Sequence, residues 1–332
     1  MIITENEKSK VVLSSLLERH YPRLKSELWG IIGRYHKGMG VVYHTKDYWV
    51  RDYMPIQVDE NVFVKFVYNP DYLQDQQKYI TDVDKVIKNC PFAQDYEIAD
   101  IPLVVDGGNM VFCKGKSNRI DTHYVVMTEK VLNENPKFSK KQIEWILKCA
   151  FQETELIIVW LPWDKEDTFG HTDGIIKYVD LNKSGKPKVL VNLELYADDI
   201  ATKMYSALAQ HFEVIELKLS KYDDLSWAYI NSLQTCDFII IPGLDNAITD
   251  AEALAQYRHL FPQYGENIYQ VQMRDFIADN GGALNCLTWT IYENYLKVLV
   301  KCAHIPVIDL SGYEKGLYQR NIESMLKNMP ST

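Results

Sequence analysis

The stretch Asn280-Gly281-Gly282-Ala283-Leu284-Asn285-Cys286-Leu287-Thr288-Trp289 sets a cysteine just behind a glycine pair. Glycines free the backbone and let other segments come close. The apolar run reads as a short β-strand with Cys286 near its start, where sheet gives way to loop. A nucleophilic cysteine needs a base or a positive field to become thiolate, and usually acts with a histidine. Of the eight histidines, only His171 stands in a sharply punctuated setting, Phe169-Gly170-His171-Thr172-Asp173-Gly174. In an extended segment residues two apart point the same way, so His171 and Asp173 would face one pocket together. Read alone, the segment is equally a solvated turn, or a metal pair for which no further ligand shows itself nearby.

Two more polar stretches are flanked by apolar runs. Tyr48-Trp49-Val50-Arg51-Asp52-Tyr53-Met54-Pro55 puts an aromatic, an arginine and an acid before a hairpin. If it is fully extended, Trp49 and Arg51 share one face, and Val50 and Asp52 the other. Asp106-Gly107-Gly108-Asn109 is a glycine-rich turn between apolar strands. Neither phosphate-loop glycine pattern occurs. Singly, each stretch is a turn or a surface ion pair. Together they supply a thiol, a histidine and two carboxylates, Asp52 and Asp173. Carboxylates in such a pair suit a planar cation with several N–H donors, and guanidinium fits through bidentate hydrogen bonds. A Cys286 thiolate could attack its electron-poor carbon, while His171 protonates the departing amine and then activates water.

The elements that must hold these groups follow from hydrophobic periodicity. Residues 7–36 read as helical, with apolar positions from Leu13 to Ile32 at three- and four-residue spacing and a second helix starting at Pro22. Gly38-Met39-Gly40 ends that part. Beyond it, short apolar strands alternate with helical segments, among them residues 140–151, 198–211 and a helix opened by Thr249-Asp250-Ala251-Glu252, which has the spacing of a capping box. The rhythm is strand, helix, strand about every 50 residues. No Pro/Ser/Gly-rich linker divides the chain, so a single domain over residues 1–332 is expected.

Composition narrows the function class. The chain has 332 residues, 47% of them apolar, with 36 basic and 45 acidic side chains for a net charge of −9. That balance argues against nucleic acid as the partner and mildly favours a small cation. No apolar run is long enough for a membrane span, and no secretory leader is evident, so a cytoplasmic protein is expected. The six cysteines include no Cys-x-x-Cys pair, and all except Cys286 are expected as reduced core thiols.

Four motifs carry a resemblance: Trp49-x-Arg51-Asp52-x-x-Pro55, Asp106-Gly107-Gly108-Asn109, Gly170-His171-x-Asp173 and Gly281-Gly282-x-x-x-Cys286. They occur in the order found in the agmatine deiminase and bacterial peptidylarginine deiminase family of guanidine-modifying enzymes, from about residue 40 to 292. The resemblance implies a five-bladed α/β propeller, the pentein fold, of ββαβ units with pseudo-fivefold symmetry. It also implies hydrolysis without cofactor or metal, through a covalent thiouronium on Cys286, with His171 as general acid and then base. Asp52 and Asp173 would hold the guanidinium and Trp49 would line the pocket. Asn109 would support the site at the glycine turn, and Asn231 resembles a residue that binds the substrate beyond the guanidinium. The expected reaction converts agmatine to N-carbamoylputrescine plus ammonia, a step toward putrescine. Alternatives are deimination of free, modified or peptidyl arginine, amidino transfer, a guanidinium-binding protein without catalysis, and an unrelated cysteine hydrolase. A homodimer is left open. Where agmatine deiminases commonly have a Gly-rich run and histidine before the cysteine and Ile-Thr-Gln-Gln after it, this chain has Asn285 and Leu-Thr-Trp-Thr. Met54 replaces the usual glycine before Pro55, so the chemistry is more fully specified than the tail on the guanidinium.

Overall fold

The structure, a computed structural model, describes residues 2–35, 40–117, 120–293 and 316–330. Its described strands form five three-stranded sheets. In each sheet the central strand pairs antiparallel on one side and parallel on the other. Antiparallel neighbours can be joined by a tight turn, whereas a parallel neighbour needs a crossover. Helical segments make those crossovers: Lys140–Ala150, Asp198–Ala209 and Ala247–Leu260 each lie between the central strand and its parallel partner. The recurring unit is therefore ββαβ, and the alternation read from the sequence is this repeat.

One sheet is assembled from both ends of the described fold. Lys10–Ser14 runs parallel to Gly40–Val42 and antiparallel to Trp289–Ile291. This corrects the expectation of a helix from residue 7. Val11, Val12 and Leu13 are all fully buried, one strand sandwiched from both faces, so period-based reading finds no polar side to contradict a helix. Helix begins only at Ser15–His20 and resumes at Pro22–Ile32, where Pro22 occupies the first turn as expected. The end at Gly38-Met39 lies outside the described residues.

Two further expectations change. Thr249 does not cap its helix; Asn246 does, accepting from the backbone of Ile248 and Thr249, while Thr249 and Asp250 are buried and bond Tyr229. Cys236 is exposed, at the turn linking Leu233–Gln234 to Ile239–Gly243, whereas Cys90, Cys113 and Cys149 are buried. Cys302 lies outside the described residues. No helix among the described residues is long and apolar enough to cross a membrane.

The sheets matter here for what precedes them. The segment just ahead of the first strand of every ββαβ unit is a polar turn packed on an apolar core. Val50–Tyr53 precedes Ile56–Asp59, Gly107–Asn109 precedes Val111–Ser117, and Thr172–Gly174 precedes Ile176–Leu181. Asn231 precedes Leu233–Gln234, and residues 284–287 precede Trp289–Ile291. Five repeats thus bring five equivalent turns together.

Candidate active site

Each turn supplies one or two side chains. The first is a single helical turn, not an extended run, because Val50 and Tyr53 are both buried three residues apart and fix its inner face. That curvature lets Trp49 and Asp52 border the same cavity, where an extended chain would have sent them to opposite faces. In the second turn the Gly108 N–H donates to Asp52 Oδ1 at 3.0 Å. A Cβ on Gly108 would stand 2.6 Å from that oxygen and 2.8 Å from His171 Nδ1, so only glycine lets the three turns meet.

In the third turn His171 presents Nε2 to Asp106 Oδ2 at 3.1 Å, and its Nδ1 lies 3.6 Å from Asp52 Oδ1. The first is a hydrogen bond and the second is too long for one. Nε2 is therefore tied to a carboxylate that orients the ring, and Nδ1 is free to exchange a proton. Asp106 is itself held by the Tyr72 hydroxyl, which donates at 2.9 Å. Asp173 follows in a 3-10 turn instead of an extended pair, yet it reaches the same cavity and accepts from Asn285 Nδ2 at 2.7 Å.

Cys286 sits within a turn three residues ahead of its strand, which corrects its expected place inside the strand. Its Sγ receives Asn231 Nδ2 at 3.2 Å and lies 3.6 Å from Asp173 Oδ2. Asn231 Oδ1 accepts the backbone N–H groups of Asn285 and Cys286 at 3.0 and 3.3 Å. Asn231 thus holds the thiol and its turn while bordering the same cavity. Behind the cysteine, the Trp49 ring occupies the space that a Cβ on Gly282 would need.

Six of the seven residues singled out from sequence border one cavity of about 650 Å³: Trp49, Asp52, His171, Asp173, Asn231 and Cys286. Asn109 does not. It is buried, and its Oδ1 accepts from the Thr128 backbone at 2.9 Å and the Thr172 hydroxyl at 2.8 Å. It clamps the second and third turns together. Asp106, Tyr72 and Asn285 touch the site residues and were given no role from sequence, although Asn285 was noted as a departure from the family pattern. Asp106 carried a signal, an acid opening a glycine turn between apolar strands. Tyr72, from the polar 3-10 segment Asp71–Tyr79, carried none.

Burial and mutual charge set the protonation states. Burial pushes Asp52 up, the His171 charge opposes this, and the Asp106 and Asp173 charges add to it, bringing Asp52 to about 8. Burial alone would push His171 down, but Asp52, the Asp106 hydrogen bond and charge, and Asp173 reverse this and raise it to about 10. Burial, then the Asp173 and Asp52 charges, hold the Cys286 thiol well above the ordinary thiol range. With no cation bound, the site thus keeps its sulfur protonated and its imidazole charged. Among the described residues, no group of three or more His, Cys, Asp or Glu side chains is arranged to hold a metal ion.

The family model described as Porphyromonas-type peptidyl-arginine deiminase matches residues 2–291. The chain belongs to that family. Its enzymes are hydrolases acting on C–N bonds, and the match spans all five turns. No curated protein matches this chain. Among solved structures, C. jejuni agmatine deiminase is 19% identical with a TM-score of 0.65, over 88% of this chain and 96% of that one. A cysteine-to-serine variant of the C. jejuni enzyme with substrate bound is 18% identical with a TM-score of 0.60, over 88% and 96%. SxtG, an amidinotransferase from Microseira wollei, is 12% identical with a TM-score of 0.52, over 88% and 97%. At these identities the likeness is one of fold, the mixed α/β pentein fold.

Proposed function

We propose that this member of the family is a deiminase of a small dicationic guanidine, agmatine, releasing ammonia and N-carbamoylputrescine. One observation carries the choice of substrate. Asp164, Glu166, Asp167 and Asp224 border the cavity that holds Cys286, and its lining among the described residues includes no lysine or arginine. A terminal amine entering beside a bound guanidinium would meet carboxylates, whereas the α-carboxylate of free arginine would meet like charge. Tyr196 and Trp227 on the same lining add aromatic surface for a cationic tail.

In this reading Asp52 and Asp173 take the guanidinium N–H groups. The arriving cation offsets the negative field that keeps the thiol protonated, so the Cys286 proton leaves to solvent and the thiolate attacks the central carbon. His171 Nδ1 protonates the departing nitrogen, which leaves as ammonia from a thiouronium on the sulfur. The same nitrogen then takes a proton from water, whose oxygen adds to the carbon as the thiolate is released. Water in and ammonia out balance the reaction. The five three-stranded sheets are read as the five blades of a pseudo-fivefold propeller forming one domain over residues 1–332, with one turn per blade converging on the site.

The test is ammonia release from agmatine, arginine and a blocked arginyl peptide side by side. Agmatine is expected to lead in kcat/KM by roughly a hundredfold or more, since an unpaired buried charge is a strong discriminator. Arginine as the better substrate would reject the rim argument, and binding of guanidinium without ammonia from any compound would favour a non-catalytic protein.

A pH profile follows from the same groups. Asp52 must be ionised to hold the cation, so kcat/KM should rise with pH through about 8, and His171 must be protonated to act as acid, so it should fall through about 10. Because the groups interact, these limbs belong to the cluster and not to single residues. An optimum on the acid side of neutrality would contradict the assignment.

A further inference from the structure

Asp173 borders two cavities: the open one with the thiol, and a small one of about 30 Å³ that Glu5, Arg51, Lys177, Gln234 and Asn285 also line. Charged groups reach this inner space from several elements. Arg51 donates to Glu5 through Nη1 at 3.2 Å and Nη2 at 3.4 Å, and Lys8 donates to Glu5 at 3.0 Å. The one carboxylate of Glu5 is thereby taken up by two cations. Lys177, on the strand Ile176–Leu181 and only 5% exposed, makes no ion pair among the described residues; its Nζ donates to the Ser232 carbonyl at 2.7 Å.

Three residues lining the same small cavity carry a buried acceptor without a hydrogen-bond partner among the described residues: Asp173 Oδ1, Asn285 Oδ1 and Gln234 Oε1. A buried ammonium and a buried carboxylate oxygen, each lacking an ionic partner, are costly apart and much less so when they face one another. The volume admits a bridging water between them. Ser232 directly follows Asn231, whose side chain holds the thiol, so the lysine is joined to both halves of the site. We propose that Lys177 is a positioning residue for the guanidinium reaction: from the inner side its ammonium fixes the Asp173 carboxylate between the two cavities, and through Ser232 it holds the turn carrying Asn231. This rests on the reading of Asp173 as a guanidinium ligand. Burial pushes Lys177 down, the Glu5 and Asp173 charges oppose this and the Arg51 and Lys8 charges add to it, leaving it at about 8 and therefore mostly charged at neutral pH.

The experiment measures agmatine affinity by calorimetry in a Cys286→Ser background, with Lys177 intact, Lys177→Met and Lys177→Gln, from mildly acid to mildly alkaline pH. Glutamine keeps a donor for Ser232 without the charge, and it preserves the test should methionine fail to fold. Both variants are expected to bind roughly tenfold more weakly at the acid end. At the alkaline end, where Lys177 in the parent has itself lost its charge, they should match the parent. Weakening that is equal at every pH, or that glutamine restores, reduces Lys177 to a backbone anchor and overturns the proposal, as do unchanged curves. If the Cys286→Ser parent binds no agmatine at any pH, the guanidinium reading falls and this proposal with it.

Discussion

Cys286→Ser should leave the fold intact and lower kcat by about 10⁴-fold or more, the scale seen when a covalent nucleophile is removed. The substitution is nearly isosteric and keeps an atom able to receive Asn231 Nδ2, which lies 3.2 Å from Sγ. The loss comes from chemistry. A serine hydroxyl ionises far less readily than a thiol, and this site disfavours anions already, since burial and the charges of Asp173 and Asp52 hold even the thiol well up. A bound guanidinium can tip a thiol toward thiolate; it cannot tip an alcohol as far. Agmatine binding should persist, because Asp52, Asp173 and the aromatic wall are untouched. Steady-state rates beside a thermal melt check both halves, and more than a small residual rate in well-folded protein would remove the covalent mechanism.

His171→Gln is the second large effect, an expected kcat loss of roughly 10²–10⁴-fold, the usual range for general acid–base groups. Glutamine can still donate to Asp106, so the contact that imidazole makes at 3.1 Å has a replacement and the ring's space is largely filled. What it lacks is a proton to deliver to the departing nitrogen and a lone pair to take one from water. The variant should therefore lose the falling alkaline limb as well as the rate. KM should change little, because the carboxylates that hold the cation remain. A variant with a reduced rate but an unchanged alkaline limb would assign that limb to another group and leave His171 with a purely electrostatic part.

The residues that could be read from sequence share a physical trait. Trp49, Asp52, His171, Asp173 and Cys286 stand in glycine- or aromatic-flanked breaks between apolar strands, and each break proved to be the turn ahead of a ββαβ unit. The backbone shapes of those turns were not legible. Asp52 lies in one turn of helix, Asp173 in a 3-10 turn and Cys286 in a turn before its strand, because shape there is fixed by contacts between repeats, such as Gly108 N–H to Asp52 and Arg51 N–H to the Cys286 carbonyl. The strand Lys10–Ser14 was hidden for the same reason, since its partners are at residues 40–42 and 289–291. Lys177 looks like an ordinary strand lysine beside Ile176 and Tyr178. Glu5 and Lys8 from the N-terminal turn, with Arg51 and Asp173 from two of the site turns, make its surroundings a buried charge cluster.

The central claim is that Cys286 forms a bond to the guanidinium carbon of agmatine. It is tested most directly by acid-quenching the enzyme during turnover with agmatine and mapping the modified peptide by mass spectrometry. The predicted result is an adduct of agmatine less ammonia on the peptide that contains Cys286, absent from Cys286→Ser and lost as ammonia and N-carbamoylputrescine accumulate. Product formation with Cys286 unmodified at every quench time, and undiminished in Cys286→Ser, would contradict it.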